Sequence, residues 1–449
     1  SDGITWRRVK NALFVGDPGD WDDDMLWTMH VIQQDGKFLM YYTGLQRQDR
    51  GKISRVGLAE SIDLLDWQKT IEPGLPIEPA SGYYEDLNNN PRGWLSFRDP
   101  YYFEDEGITY MLICTRSNTG PVSRRGCVGL LKKVAGYFEF CPPLLYPMVY
   151  DDIECPCVFR LNNKYYLLGS IREDIKVRYW FSDSFRGEYH SFHGDVLLPQ
   201  GNYAARILED NGHMLVYNFF YTHGKTNSLR VLPPPKELDT DNRGRLILKS
   251  FYRWELMVQS EITQKDFGEP AFLFSNPTAS FDRKKEKWFC SSKSGYEIFY
   301  VAKPSDHFIW EGILTVEGLG KFGLVSQIDK EGNGYYISFD IINGLVQLRS
   351  WGFNPENNKE NFIFENIQTN VFSVPAFKSF HFSLICYGNY LELSVDGVVK
   401  ITVIDYRWAG DGFGLYTASS IISLQQSVIK ILPDVEKEYA SQEIAEKKS

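Results

Sequence analysis

The 449-residue chain is 43% hydrophobic, 15% aromatic and 24% charged, which are globular values with an aromatic excess that suits a β protein or a carbohydrate site. Its formal charge of −10 argues against a general affinity for nucleic acid or anionic membrane, since both need a concentrated basic surface. No run approaches the ~18 apolar residues that span a bilayer.

The length allows about two or three domains. A neutral sugar-like substrate is compatible with the charge, and the compartment stays open between the cytoplasm and a secreted or periplasmic setting. Seven scattered cysteines, Cys114, Cys127, Cys141, Cys155, Cys157, Cys290 and Cys386, lack the paired spacing of a zinc site or a disulfide framework. They are expected to be reduced core residues, and no metal or cofactor is implied.

Taken in order, the chain repeats one signal: a short strand, a polar turn and a strongly aromatic strand. His30-Val31-Ile32 runs into Asp35-Gly36 and Phe38 to Tyr42; Tyr101-Tyr102-Phe103 runs into Glu106-Gly107 and Tyr110-Met111-Leu112. Cys157-Val158-Phe159 then runs into Asn162-Asn163 and Tyr165 to Leu168, and Ala205 to Leu208 into Asp210-Asn211-Gly212 and Met214 to Tyr217. Each predicts a β-hairpin. Successive turns, at Gly36, Gly107, Asn163 and Gly212, are 71, 56 and 49 residues apart, spacings of propeller blades with loop insertions. Ser54 to Ala59 and Gly126 to Leu130 are expected third strands. Residues 1–250 are therefore predicted to form a five-bladed β-propeller.

In a propeller the first strand of each blade lines the central channel, so residues far apart in sequence converge. Counting back from the turns places Asp99, Glu154 and Tyr203 at nearly one height on neighbouring inner strands. Two carboxylates facing one pocket are the basic equipment for glycoside cleavage. Glu154 stands between Ile153 and Cys155 at the mouth of an apolar strand, where desolvation would disfavour its charged form and suit a general acid. A glutamate at a strand end is otherwise a solvated or salt-bridged surface group.

Leu232-Pro233-Pro234-Pro235 predicts a rigid connection near the domain edge. Residues 251–434 alternate in the β manner, as in Gly334 to Asp340 and Tyr390 to Gly397, and predict a β-sandwich. Residues 435–449 are a charged tail, either a short helix or disordered.

Three segments line up in order with one family. Arg98-Asp99-Pro100 resembles the Arg-Asp-Pro motif of family 32 glycoside hydrolases, the invertase and fructanase group, and Glu154-Cys155-Pro156 resembles its Glu-Cys motif. The run Leu232 to Leu238 is similar to the segment that precedes the sandwich in that family. The resemblance implies a five-bladed propeller followed by a β-sandwich, with retaining, exo-acting cleavage of β-fructofuranosides. It implies that Glu154 is the acid/base, that Asp99 grips sugar hydroxyls and that Arg98 supports the same contacts. The family's nucleophile motif has no clear counterpart, because the place eight or nine residues before Gly36 holds Trp27 or Thr28. Asp24 is the preferred nucleophile, with Asp17, Asp22 and Asp23 behind it.

Trp27, Trp94 and Tyr203 are candidates for stacking on a sugar face, each equally suited to packing inside the propeller. Arg206 is expected to pair with a channel carboxylate. His30 is expected to be a satisfied structural histidine rather than a hydroxyl binder. Two alternatives accompany the fructofuranosidase reading: an inverting glycosidase like the family 43 arabinofuranosidases and xylosidases, and a catalytically silent carbohydrate-binding protein.

Overall fold

The polar dipeptides fold the chain back where the repeat requires it. Asp35-Gly36, Glu106-Gly107, Asn162-Asn163 and Asn211-Gly212 each form a two-residue hairpin loop with positive φ at both positions, the turn whose twist matches the flanking strands. The computed structural model describes residues 2–80, 82–221, 230–318, 320–353, 362–372 and 379–434. The expected tail at 435–449 lies outside them.

Four small antiparallel sheets follow one another. The first joins β1 (Met25–Gln34), β2 (Lys37–Leu45), β3 (Ser54–Ser61) and β4 (Gln68–Lys69). The second joins β5 (Phe97–Asp105), β6 (Ile108–Arg116), β7 (Gly126–Val134) and β8 (Tyr137–Leu145). The third joins β9 (Glu154–Leu161), β10 (Lys164–Ile171), β11 (Lys176–Ser182) and β12 (Val196–Leu198). The fourth joins β13 (Asn202–Asp210), β14 (His213–Tyr221), β15 (Arg230–Val231), β16 (Lys236–Thr240) and β17 (Leu246–Lys249). The inner strands pack side by side, β1 on β5, β5 on β9 and β9 on β13. The architecture is thus the expected all-β one, a propeller-like ring of small sheets followed by a large antiparallel sheet domain.

The apolar faces of the second, third and fourth sheets share a core that includes Leu112, Val128, Val158, Leu167, Val177, Val216 and Leu248. Each such side chain contributes about 1.5–3 kcal/mol by leaving water. The three prolines do not mark a domain edge as expected. They are buried and join β15 to β16 inside the fourth sheet, a position between strands where no ladder N–H is required of them.

A short helix, α1 (Arg253–Leu256), leads into the large sheet. Its longest strand, Gly412–Ile431, pairs with His307–Glu317, Lys321–Ile328 and Lys287–Ala302. The outer strand Val398–Ile404 packs back on Leu345–Phe353 and Phe362–Val371, so the sheet folds over its own core as a sandwich does. The two units meet through buried polar contacts: Asn202 Nδ2 donates to the Thr402 carbonyl at 3.2 Å, and Lys236 lies 4.0 Å from Glu392, both side chains fully buried. Burial pushes the Lys236 ammonium down to about 8, with Glu392 opposing the shift.

Candidate functional site

The inner strands share an irregularity near their first residues. In β5 the register passes from Arg98 opposite Cys114 to Tyr101 opposite Leu112, in β9 from Glu154 opposite Ser170 to Cys157 opposite Leu168, and in β13 from Tyr203 opposite Phe219 to Arg206 opposite Tyr217. Two residues then face one, a β-bulge. The first of each pair, Asp99, Cys155 and Ala204, has φ of 61°, 50° and 56°. Left-handed backbone at a non-glycine residue costs about 1–3 kcal/mol, and surrounding contacts must hold it. Here the amide of each is bound by a neighbouring sheet: Asp99 N–H donates to Thr43 Oγ1 at 3.1 Å, Cys155 N–H to Asp99 Oδ2 at 2.9 Å and Ala204 N–H to Ser170 Oγ at 2.8 Å.

The register corrects the height deduced by counting, since Asp99 stands eight residues before Gly107 whereas Glu154 and Tyr203 stand nine before Asn163 and Gly212. Arg98, Glu154 and Tyr203 share one rung, with Trp27 in the matching place on β1, where the register shifts between Trp27 and Met29. Asp99 falls one residue later, level with Cys155 and Ala204. The extra residue turns its carboxylate toward the start of β9, where one oxygen holds the Cys155 amide.

Glu154 is not in the apolar mouth expected of it. Its two oxygens are taken separately, Oε1 by Arg98 Nη2 at 2.8 Å and Oε2 by the Tyr203 hydroxyl at 2.6 Å, and its side chain is 16% exposed. Burial, and then the Glu154 charge, push the Tyr203 phenol far above its ordinary range, so it donates as a phenol. Arg98 also donates to Ser96 Oγ at 2.7 Å and to Asp152 Oδ2 at 3.2 Å. Asp152 is completely buried and receives Arg92 Nη1 at 3.1 Å and Ser96 Oγ–H at 3.0 Å. Although burial pushes its carboxyl up, Arg98 and Arg92 hold it below the usual carboxylate range. Sequence reasoning missed Asp152, Arg92 and Ser96. Asp152 stood two residues from Glu154, the period that puts side chains on one side of an extended chain; for Arg92 and Ser96 no signal existed.

The structure therefore brings Arg98, Asp99, Glu154 and Tyr203 together. Trp94 stands beside them half-buried, its ring covered by the Arg92 guanidinium at 3.9 Å with Arg98 at 5.5 Å, which leaves less of it for a sugar than expected. Among the described residues Arg206 pairs with no carboxylate. Its Nη1 donates to the carbonyls of Cys155 at 2.7 Å and Pro156 at 3.2 Å, because the bulge turns those carbonyls toward β13. His30 is structural as expected, stacking on Tyr101 at 4.2 Å and accepting the Tyr102 N–H on Nδ1 at 2.9 Å.

The acidic stretch before β1 divides by contact. Asp22 is buried against the Tyr42 hydroxyl at 2.9 Å and Lys69 at 2.6 Å, and Asp23 accepts the amides of Gly19 and Arg47. Asp17 lies in an exposed turn. Asp24 immediately precedes β1, its amide donating to the Leu45 carbonyl at 3.0 Å and one carboxylate oxygen 3.9 Å from Arg47 Nε, so its described contacts are with the end of β2 and the β2–β3 loop of its own sheet. Trp27 is 39% exposed, and all seven cysteines are free. Among the described residues no cluster of three or more histidine, cysteine or carboxylate side chains could hold a metal, and no helix is long and apolar enough to cross a membrane.

No family model and no curated protein matches the sequence. Solved structures do. A sucrose-6-phosphate hydrolase from Lactobacillus gasseri superposes with a TM-score of 0.64 at 14% identity, over 93% of this chain and 81% of that one. An exo-inulinase from Aspergillus awamori gives 0.62 at 12% identity, over 91% and 84%, and a family 32 β-fructofuranosidase from Bombyx mori gives 0.59 at 17% identity, over 91% and 79%. The fold of this chain is that of the family 32 glycoside hydrolases, a five-bladed propeller followed by a β-sandwich, with four small sheets of the ring present among the described residues.

Proposed function

We propose that the protein is a glycoside hydrolase that cleaves β-fructofuranosides, with Glu154 as acid/base and Asp99 as the carboxylate that grips the sugar hydroxyls. The observation that carries this reading is the junction of β5, β9 and β13. There Glu154 is held on both oxygens by Arg98 and Tyr203, and Asp99 is fixed beside it with one oxygen committed to the Cys155 amide. A partly exposed carboxyl with fixed orientation is what a general acid needs in order to meet a leaving oxygen. Asp24 is the proposed nucleophile. Asp22 and Asp23 are engaged in short hydrogen bonds, whereas the ion pair of Asp24 with Arg47 is long.

In this scheme the Asp24 carboxylate forms a bond to the anomeric carbon as the glycosidic C–O bond breaks, and Glu154 gives its proton to the departing oxygen. Glu154 then takes a proton from water, whose oxygen displaces Asp24 and restores both carboxyls. The test is an Asp24→Ala variant assayed with and without azide. Loss of turnover with partial return on adding azide, which would replace the nucleophile, supports a retaining Asp24; loss without return favours the inverting route.

A second reading rests on Trp27, which stands on the rung that carries Glu154, together with the turn of Asp24 toward its own loop. It makes the protein a sugar binder without turnover. Fructose released by wild type and not by Glu154→Gln rules it out.

A further inference from the structure

Glu154 does not have Arg98 to itself. One guanidinium nitrogen, Nη2, donates to Glu154 Oε1 at 2.8 Å and to Asp152 Oδ2 at 3.2 Å, and Nε lies 3.9 Å from Asp99 Oδ2, so a single positive charge is divided among three carboxylates. Asp152 draws on a second cation, Arg92, which is itself shared with Asp151 at 3.0 Å. Asp151 also binds Arg116 and Arg172, which lightens its demand on Arg92.

We propose that Asp152 is a positioning residue for Glu154: it anchors the Arg98 guanidinium and takes up part of its charge, so that less of that charge bears on the Glu154 carboxyl. The proposal rests on the reading of Glu154 as the acid. An arginine serving one carboxylate alone favours its ionised form, whereas a second negative charge close by disfavours it. Were Asp152 neutral, more of the Arg98 charge would fall on Glu154, shared there only with Asp99 at 3.9 Å, and would favour the Glu154 anion, which is unfit for protonating a leaving group. Asp152 suits the task because it is wholly buried and held ionised by two guanidinium groups.

The other groups facing Glu154 are few. Asp99 stands with Arg98 on β5, Cys114 on β6 and Cys155 beside Glu154 itself, while Tyr203 and Arg206 come from β13. Burial pushes Cys114, Cys155 and Tyr203 well up, so they stay protonated, and Asp99 and Arg206 are common to every variant below.

The test follows the Glu154 carboxylate itself, by pH-dependent infrared difference spectra between each protein and its Glu154→Gln counterpart, and in parallel the pH profile of kcat/KM on sucrose. In Asp152→Asn the carboxylate band should appear about one pH unit lower than in wild type, with the alkaline limb of kcat/KM moving the same way. In Arg92→Gln both should move up, because a cation is lost from the network. A merely structural role moves neither. A midpoint in folded Asp152→Asn that is unchanged or raised would overturn the proposal. Should that variant fail to fold, Arg92→Gln decides, an unmoved or lowered midpoint overturning it. Absence of turnover in wild type would strike the acid reading, while the infrared midpoints would still test the charge-sharing.

Discussion

Replacing Arg98 by Met keeps most of the buried stem and removes the charge on which three carboxylates, Asp99, Asp152 and Glu154, converge. The side chain is 6% exposed and donates to Ser96, Asp152 and Glu154. Breaking a buried ion pair from one side typically costs about 3–5 kcal/mol, since the partner is left charged in the interior. Here the abandoned groups keep other donors, Arg92 and Ser96 for Asp152 and Tyr203 for Glu154, which places the loss at the low end, about 3 kcal/mol. Asp152→Asn in the Arg98→Met background should cost less than it does in wild type, because the charge it removes is then poorly paired. The coupling between the two positions is expected at about 1–3 kcal/mol. Urea unfolding followed by tryptophan fluorescence measures both, with the shift of midpoint read at unchanged m. The sign with pH is fixed by Asp152: its carboxyl is lowered by folding, so the contribution is complete above the ordinary value of 3.8 and is lost as pH falls through the lowered one. An Arg98→Met variant within about 1 kcal/mol of wild type at pH 7, or costs that add within ~0.5 kcal/mol, would refute the reasoning.

Three further outcomes are expected. Burial, with Arg206 adding to it, depresses His30 to about 3 from 6.5, so the folded protein holds it neutral and loses about 1.4 kcal/mol per pH unit as pH falls between those values. His30→Gln, which can still accept the Tyr102 amide, should therefore cost about 2 kcal/mol less at pH 5 than at pH 7 in urea melts; an equal cost at both would contradict the assignment. Thr43→Val and Ser170→Ala each strip the acceptor from a left-handed bulge amide and should each destabilise by about 1–3 kcal/mol, which melts of the two variants would check. Tyr203→Phe, losing a hydrogen bond to a carboxylate, should cost about 1.5–3 kcal/mol in transition-state stabilisation if the bond orients Glu154 for reaction, read as a fall in kcat/KM on sucrose.

What the sequence disclosed was local and periodic. The four hairpins and their turn dipeptides are visible because each turn needs residues that tolerate positive φ, and Gly36, Asn163 and their counterparts supply them. Counting from those turns located Glu154 and Tyr203 on one rung, nine residues before Asn163 and Gly212, but set Asp99, eight residues before Gly107, in the place that belongs to Arg98 at nine. The environment of Glu154 was hidden for another reason: Arg98 and Tyr203 stand 56 and 49 residues away, and the apolar neighbours Ile153 and Cys155 point elsewhere. Three consecutive aspartates look alike in a sequence, yet Asp22 and Asp23 serve the fold through Tyr42, Lys69 and backbone amides. The proline run was misplaced because rigidity suits a link between two strands of one sheet as well as a link between domains.

The central claim is that Glu154 protonates a departing sugar oxygen. Sugar release from sucrose and inulin by wild type and by Glu154→Gln, both shown to be folded by the same melting transition, tests it most directly. A general acid contributes about 10²- to 10⁴-fold in rate, so the account predicts measurable fructose from wild type and a loss of that order in the variant. Equal rates in the two proteins, or no release by wild type from either substrate while both sugars bind, would contradict it.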